Sequence, residues 1–276
     1  MNFVLGARGR LGHAIHSSQS GGQIEALDHF VYSEWWRDGS ADDVARFFEN
    51  RAGGDGVVYV ATGIIDPGRP YEDHHRVNFS LAKNVVEGAT KIGLRVITFG
   101  TVMEKIVDDE GANSYFASKT KLGHFVEEFC ATNTLALHIR LHTLFGGRPP
   151  DAFMFLGQIL HAIGSGSEFK MTTGMQLREY HQIDDEVAAI FKLANSDVSG
   201  AMELSHGVPV TLKELAEYIF KAHGCLSLLK IGALPEPVNE NYGLLFARPP
   251  ILENLAFRDT LSAVVEYLGH VKDVKK

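Results

Sequence analysis

In the stretch YFASK, Tyr115 and Lys119 stand four positions apart. On a helix this spacing puts both side chains on one face, about one turn from each other. A phenol beside an ammonium group is a proton donor whose ionisation the cation tunes. The same pair on an exposed helix is ordinary surface decoration, and the five residues alone leave both readings open. A second group with chemical potential opens the chain, where GARGRLG sets Gly6, Gly9 and Gly12 in a G-x-x-G-x-x-G spacing. Glycines in such a turn let the backbone bend tightly, approach a pyrophosphate and aim a helix N-terminus at its charge. Asp28 follows at roughly the 20-residue distance where an acid accepts hydrogen bonds from the adenosine ribose, which favours NAD. Arg8, inside the turn, pulls toward NADP, since a guanidinium can pair with a 2'-phosphate.

These groups need elements to hold them. NFVLGA reads as a short strand ended by glycine, and RLGHAIHSS as a helix stopped by SGG. IEALD is a second strand, and SADDVARFFEN a helix that Ser40 can cap, with Val44, Phe47 and Phe48 at helical spacing. DGVVYVAT is a third strand. A helix through VNFSLAKNVVEGATKIG, a strand RVITFGT, the helix holding Tyr115 and a strand LALHIRLHTLFG continue the alternation. Such an order specifies an α/β fold, a Rossmann-type doubly wound parallel sheet with helices on both faces. After GGRPP the regularity weakens. DAFMFLGQILHAIG and TLKELAEYIFKAHG read as helices, the second opened by Thr211 and Glu214 as a capping box. The proline-rich ALPEPVNENYGLLFARPPILENLAF suits a smaller lobe of loops and short helices. The expected division is a dinucleotide-binding body over 1–147 and a substrate lobe over 148–276, some of whose segments return to the sheet. VKDVKK reads as a frayed tail.

Composition narrows the partners. A net charge of -8 lacks the basic balance expected of a nucleic-acid binder, so small molecules are the expected ligands. Cys130 and Cys225 are far apart and form no C-x-x-C group, which suggests two reduced thiols and no metal site. No apolar run is long enough for a bilayer and the chain enters a strand at once, so no membrane association and a cytoplasmic location are expected. The pairs His13/His16 and His74/His75 read as solvated histidines, and Asp184 and Asp185 as helix-capping acids. Trp35 and Trp36 are expected to pack against neighbouring helices rather than flank an adenine.

Taken in order, these fragments resemble the extended short-chain dehydrogenase/reductase family, which contains nucleotide-sugar epimerases, dehydratases and 4-keto reductases. The likeness comprises GARGRLG, VVYVATG, Val77-Asn78, YFASK, IRLHTLFGG and LREYHQIDDEVAAI. The resemblance implies that Tyr115 exchanges the proton of a sugar hydroxyl while a hydride passes between the carbon and the nicotinamide. Lys119 then stabilises the phenolate and binds the nicotinamide ribose. It implies a hydroxyl from Thr101, with Thr98 as the alternative register. Ala61, Thr62, Gly63 and Asn78 then lie on the cofactor side, with Gly6, Arg8, Gly9, Gly12 and Asp28. Thr143 and Arg178 then face the substrate, a nucleotide sugar, and a homodimer is possible. Val102 and Met103 stand where a dehydratase carries an Asp-Glu pair, so epimerisation or 4-keto reduction is expected. The loop from Thr101 to Tyr115 is shorter than is typical of such enzymes. The alternative from another class is a dinucleotide-binding regulatory or scaffold protein without turnover.

Overall fold

The computed structural model describes residues 1–52, 55–66, 68–107 and 113–274. In chain order the strands are β1 (Asn2–Leu5), β2 (Ile24–Ala26), β3 (Val57–Val60), β4 (Arg95–Thr101), β5 (Ala136–Leu141) and β6 (Thr143–Phe145). They continue with β7 (Phe169–Lys170), β8 (Leu177–Arg178), β9 (Tyr180–Gln182), β10 (Gly200–Leu204), β11 (Val210–Thr211) and β12 (Leu229–Lys230). The α-helices are α1 (Arg10–Ser17), α2 (His29–Tyr32), α3 (Ala41–Glu49), α4 (Tyr71–His74) and α5 (Leu81–Lys91). After them come α6 (Ser114–Phe129), α7 (Phe155–Ser165), α8 (Ile183–Ala194), α9 (Leu212–Ala222) and α10 (Thr260–Val274).

The chain forms two compact units, Met1–Leu141 with Val187–Leu204, and His142–Glu186 with Ser205–Lys276. In the first, six strands lie in the order β10-β5-β4-β3-β1-β2, every neighbouring pair parallel. Strands β3 and β5 are buried at every position, as a parallel sheet covered on both faces requires. Phe3, Leu5, Val58 and Val96 pack with Val85 and Val86 of α5 and with Leu122 and Val126 of α6. Trp35 is core, edge-on to Phe47 and Phe48, while Trp36 lies under the guanidinium of Arg76. The second unit surrounds a separate core in which Leu156 and Ile159 of α7, Leu215 and Ile219 of α9 and Val264 of α10 meet Phe169 and Tyr180.

Four local expectations need correction. LALHIRLHTLFG is two strands: β5 belongs to the main sheet, whereas β6 pairs with β9 in the second unit. The break falls at His142, whose ring packs on His181 and Phe246. The helix expected from Val77 begins at Tyr71 and includes a π turn, His75–Ser80, an extra residue that a 3.6-residue period does not signal. Ser40 is itself helical and donates to Glu34 O at 3.3 Å instead of capping α3. The terminal VKDVKK extends α10 as far as Val274, and Lys275 and Lys276 lie outside the described residues. Among the described residues no helix is long and apolar enough to cross a membrane.

Candidate active site

Strand β1 is flanked by β2 on one side and β3 on the other, so the strand order reverses there. Open parallel sheets bind ligands at the carboxyl ends of the strands beside such a reversal. Both ends carry the expected loops. β1 runs into Gly6, which adopts a left-handed φ of 84°. A Cβ at Gly6 would lie 2.6 Å from Thr62 N, and one at Gly12 would lie 2.2 Å from Gly6 O. The glycine turn therefore rests directly on the Ala61–Thr62 backbone, and only glycine allows that approach. Gly9 precedes the first residue of α1 and donates to Gly6 O at 2.9 Å. The result is a cradle walled by backbone and opened by a helix N-terminus, which fits the pyrophosphate of a dinucleotide.

Tyr32 completes this corner. Its hydroxyl accepts the Gly6 N–H at 3.2 Å, and burial raises its pKa, with Gly6 and Arg8 opposing and Asp28 adding to the rise. Arg8 and Asp28 thus both act on the Tyr32 hydroxyl. Asp28 has a second task, because Oδ1 caps α2 by accepting the Phe30 N–H at 2.8 Å.

The catalytic candidates gather on α6, which Asn113 caps through the Phe116 N–H. Lys119 is buried, and its Nζ donates to Phe99 O at 2.8 Å. A Cβ at Gly63 would sit 3.3 Å from Asn78 Oδ1 and 3.5 Å from Lys119 Nζ, so Gly63, Asn78 and Lys119 share one small space. Asn78, inside the π turn, accepts the Ile64 N–H at 2.8 Å and donates to Ser118 Oγ at 3.1 Å; Ser118 in turn donates to Tyr115 O at 2.8 Å. His74 is fully buried, contrary to its reading as solvated. Its Nε2 donates to Asp66 O at 3.0 Å, and its ring meets Tyr115 edge-on at 6.2 Å.

Burial pushes the Tyr115 phenol up, and the Glu104 carboxylate pushes it further. Burial pulls Lys119 down to about 8, although Glu104 opposes the fall. At neutral pH Tyr115 is a protonated phenol, an acid with a proton to give, and Lys119, one turn further along α6, is an ammonium ion. The two threonines differ. Thr98 is buried with its hydroxyl 2.9 Å from His138 Nδ1. Thr101 ends β4, and its Oγ1 accepts the Met103 N–H at 3.3 Å, which leaves its own proton to donate. Part of the connection from there to Tyr115, residues 108–112, lies outside the described residues.

Thr143 and Arg178 belong to the second unit. Thr143 opens β6 and its N–H donates to Glu179 O at 3.1 Å. Arg178 pairs with Glu240 and donates to Leu177 O at 2.9 Å. The neighbouring Glu179 turns elsewhere, into a buried cluster. It accepts from His181 Nε2 at 2.9 Å, Ser205 Oγ at 2.7 Å and the His206 N–H at 2.7 Å. His181 Nδ1 meets Glu186 Oε2 at 2.8 Å. Burial would lower the His181 pKa, but Glu186 and Glu179 hold it up, near 9. The His206 ring is stacked between His181 at 3.5 Å and Phe257 at 3.6 Å. His181, Glu186 and His206 are, among the described residues, the one group with donor atoms close enough to hold a metal ion. Their rings lie within 3° of parallel, so the ring lone pairs run along separate planes and do not converge on one point. The cluster reads as a charge-paired stack.

The sequence profile of the NAD dependent epimerase/dehydratase family matches residues 3–203. The chain belongs to this family. Its fold is similar to that of UDP-glucose 4-epimerase from Thermotoga maritima, solved with UDP-glucose, at a TM-score of 0.80, 15% identity and 100% coverage of both chains. The dTDP-4-dehydrorhamnose reductase from Clostridium acetobutylicum gives 0.74 at 18% identity, over 99% of this chain and 100% of that one. UDP-glucuronic acid 4-epimerase from Bacillus cereus, solved with UDP-glucuronic acid and NAD, gives 0.76 at 14% identity, over 100% and 99%. At these identities the likeness establishes the fold. No curated protein matches the sequence.

Within this epimerase/dehydratase framework, the sequence pattern did not single out Tyr32, Glu104 or the His181 cluster. A signal existed for the last: His181 has acids two residues before and five residues after it, Glu179 and Glu186. Ser205 and His206 complete the cluster from a distant segment that carries no pattern of its own.

Proposed function

We propose that the protein is an NAD-dependent oxidoreductase that moves a hydride at a ring carbon of a nucleotide-activated sugar, as an epimerase or a 4-keto reductase. The observation that carries this reading is the Tyr115–Lys119 pair, with Lys119 Nζ anchored on Phe99 O and packed beside Gly63 and Asn78. Gly6, Arg8, Gly9, Gly12, Asp28, Ala61, Thr62, Gly63, Asn78 and Lys119 are the residues that would hold the dinucleotide. When bound, NAD supplies the hydride acceptor or donor. Tyr115 gives its proton to the forming alkoxide in reduction and recovers it in oxidation, Lys119 stabilises the phenolate, and Thr101 donates a hydrogen bond to the reacting oxygen. Thr143 and Arg178 are assigned to the substrate, the arginine to its diphosphate.

The similar structures support this substrate class, since they include nucleotide-sugar epimerases and a reductase of a dTDP-linked keto sugar. Mass spectrometry of ligand released from freshly purified protein, followed by turnover assays on UDP and dTDP sugars, tests the reading. Retained NAD identifies an epimerase and exchangeable NADH a reductase. Stoichiometric cofactor binding without turnover on any nucleotide sugar would sink the catalytic reading in favour of a regulatory dinucleotide binder.

A further inference from the structure

Tyr115, Lys119 and Gly123 recur every four residues along one face of α6. Behind this face lies a buried acid. The Glu104 side chain, 1% exposed, comes from the short 3-10 turn Val102–Lys105 that follows β4. Two glycines make its berth. A Cβ at Gly100 of β4 would fall 2.0 Å from Glu104 Oε1, and a Cβ at Gly123 of α6 would fall 2.7 Å from Oε2. The carboxylate is therefore wedged between strand and helix. It lies one residue along β4 from Phe99, whose carbonyl holds Lys119, and one helical turn along α6 from Lys119 itself.

Its oxygens are fixed. Oε1 accepts the Thr101 N–H at 2.7 Å and faces His138 Nε2 at 3.3 Å, and Oε2 accepts from Arg140 Nε at 2.9 Å. Burial would raise the Glu104 pKa, but His138, the Thr101 N–H and Arg140 hold it near 2, so the group is an anion throughout the working range. Arg140 does not depend on it alone, because Glu127 and Glu203 pair with the same guanidinium at 2.9 and 3.2 Å.

We propose that Glu104 is a positioning residue whose buried carboxylate keeps Lys119 an ammonium ion inside a site that would otherwise discharge it. The proposal rests on the reading that Lys119 serves the reaction. A buried lysine loses its proton unless a fixed negative charge opposes the desolvation, and a neutral Lys119 could not stabilise a phenolate. The other groups are placed differently. Tyr115 is a neutral phenol on the same helix, His138 and Arg140 of β5 bind Glu104 and border the same two glycines, and Glu127 of α6 and Glu203 of β10 engage Arg140. Glu104 is the acid that bears on both members of the catalytic pair.

The test follows Lys119 itself. In protein labelled with carbon-13 lysine, the Lys119 side-chain signal, identified by its loss in Lys119→Met, is titrated against pH. It should titrate near pH 8 in the unmodified protein. Glu104→Gln keeps the shape and an oxygen for the Thr101 N–H, leaves Arg140 two acids, and should lower that midpoint by about one pH unit or more. Gly123→Ala presses the carboxylate away from α6 and should shift the midpoint in the same direction by less, which carries the test if Glu104→Gln does not fold. Glu127→Gln removes a charge from the Arg140 network without touching the berth and should leave the midpoint in place. An unmoved Lys119 midpoint in Glu104→Gln and Gly123→Ala overturns the proposal. The titration needs no turnover. A midpoint that moves in a protein inactive on every nucleotide sugar supports this role for Glu104 while removing the proposed function.

Discussion

Lys119 Nζ donates to the main-chain carbonyl of Phe99 across 2.8 Å, so a strand of the central sheet fixes the ammonium one helical turn after Tyr115 on α6. This tie makes the two residues separable by mutation. Tyr115→Phe keeps the ring beside His74 and Phe116 and removes only the hydroxyl. Turnover should fall by about 100-fold or more, the range for losing a general acid or base, while cofactor affinity survives. Lys119→Met should damage both. Near-normal rates in Tyr115→Phe would remove the mechanism.

The charge on Lys119 also sets a pH limit. With a midpoint near 8, the ammonium form is complete well below that pH and is lost above it. Rates measured from pH 6 to 10 should therefore fall on the alkaline side through about pH 8. A rate that stays level to pH 10 would show that a neutral Lys119 suffices.

Asp28 is expected to set the preference for NADH over NADPH, but its carboxylate also caps α2. Replacement by alanine would mix loss of charge with loss of a cap worth about 0.5–2 kcal/mol. Asp28→Asn preserves an acceptor for the Phe30 N–H and removes the charge. Fluorescence titrations should show tighter NADH binding to the unmodified protein, and a gap narrowed by about tenfold or more in Asp28→Asn. If NADPH binds the unmodified protein more tightly, Arg8 governs the corner instead.

What could be read from the sequence follows from how local each signal is. The alternation from Asn2 to Leu141 and the spacings of Gly6, Gly9, Gly12, Tyr115 and Lys119 are periodic, and periodic signals survive in a single chain. The π turn around Asn78 adds one residue to a helix and leaves no mark on the hydrophobic pattern. Glu104 carries no pattern of its own, because what makes it special is the missing side chains of Gly100 and Gly123, which lie on two other elements. The break at His142 was hidden for a related reason. β5 and β6 follow one another with only His142 between them, and only their partners, β4 and β9, separate them.

The His181 cluster makes stability depend on pH in a defined direction. The folded pKa of His181 is raised from 6.5 to about 9, so its contribution is full below pH 6.5 and is lost as pH rises through 9. Glu179 is the opposite case. Burial raises its pKa, but His181, His142 and Ser205 bring it to about 2, so its contribution is full above pH 4.5 and is lost as pH falls through 2. Both contributions are complete between pH 4.5 and 6.5. Burial lowers the pKa of His142, to about 4, and that of His206, so both take stability away as pH falls below 6.5. Thermal unfolding should therefore be most resistant near pH 6.5 and weaken toward pH 9, by up to about 3 kcal/mol from His181. His181→Gln should unfold earlier at pH 6 and show a much flatter decline toward pH 9. A decline of unchanged slope in that variant would place its origin outside the cluster.

Arg178 distinguishes a substrate role from a structural one through its partner, Glu240. An anionic diphosphate reaching the guanidinium must displace or share that carboxylate, because both compete for the same planar donors. The two single variants should then act in opposite senses on nucleoside diphosphate binding. Arg178→Ala should weaken it by about 1.5 to 3 kcal/mol, the range for hydrogen bonds to a charged group. Glu240→Gln, which removes the competitor and keeps the volume, should strengthen it. NAD affinity should not change in either. A purely structural pair behaves differently: both variants would lower the unfolding temperature, and neither would alter diphosphate binding. Calorimetry of UDP, dTDP, GDP and CDP against the three proteins separates these cases. If none of the four binds the unmodified protein, the substrate is not a nucleotide sugar, and the assignment retreats to an oxidoreductase of another alcohol or ketone.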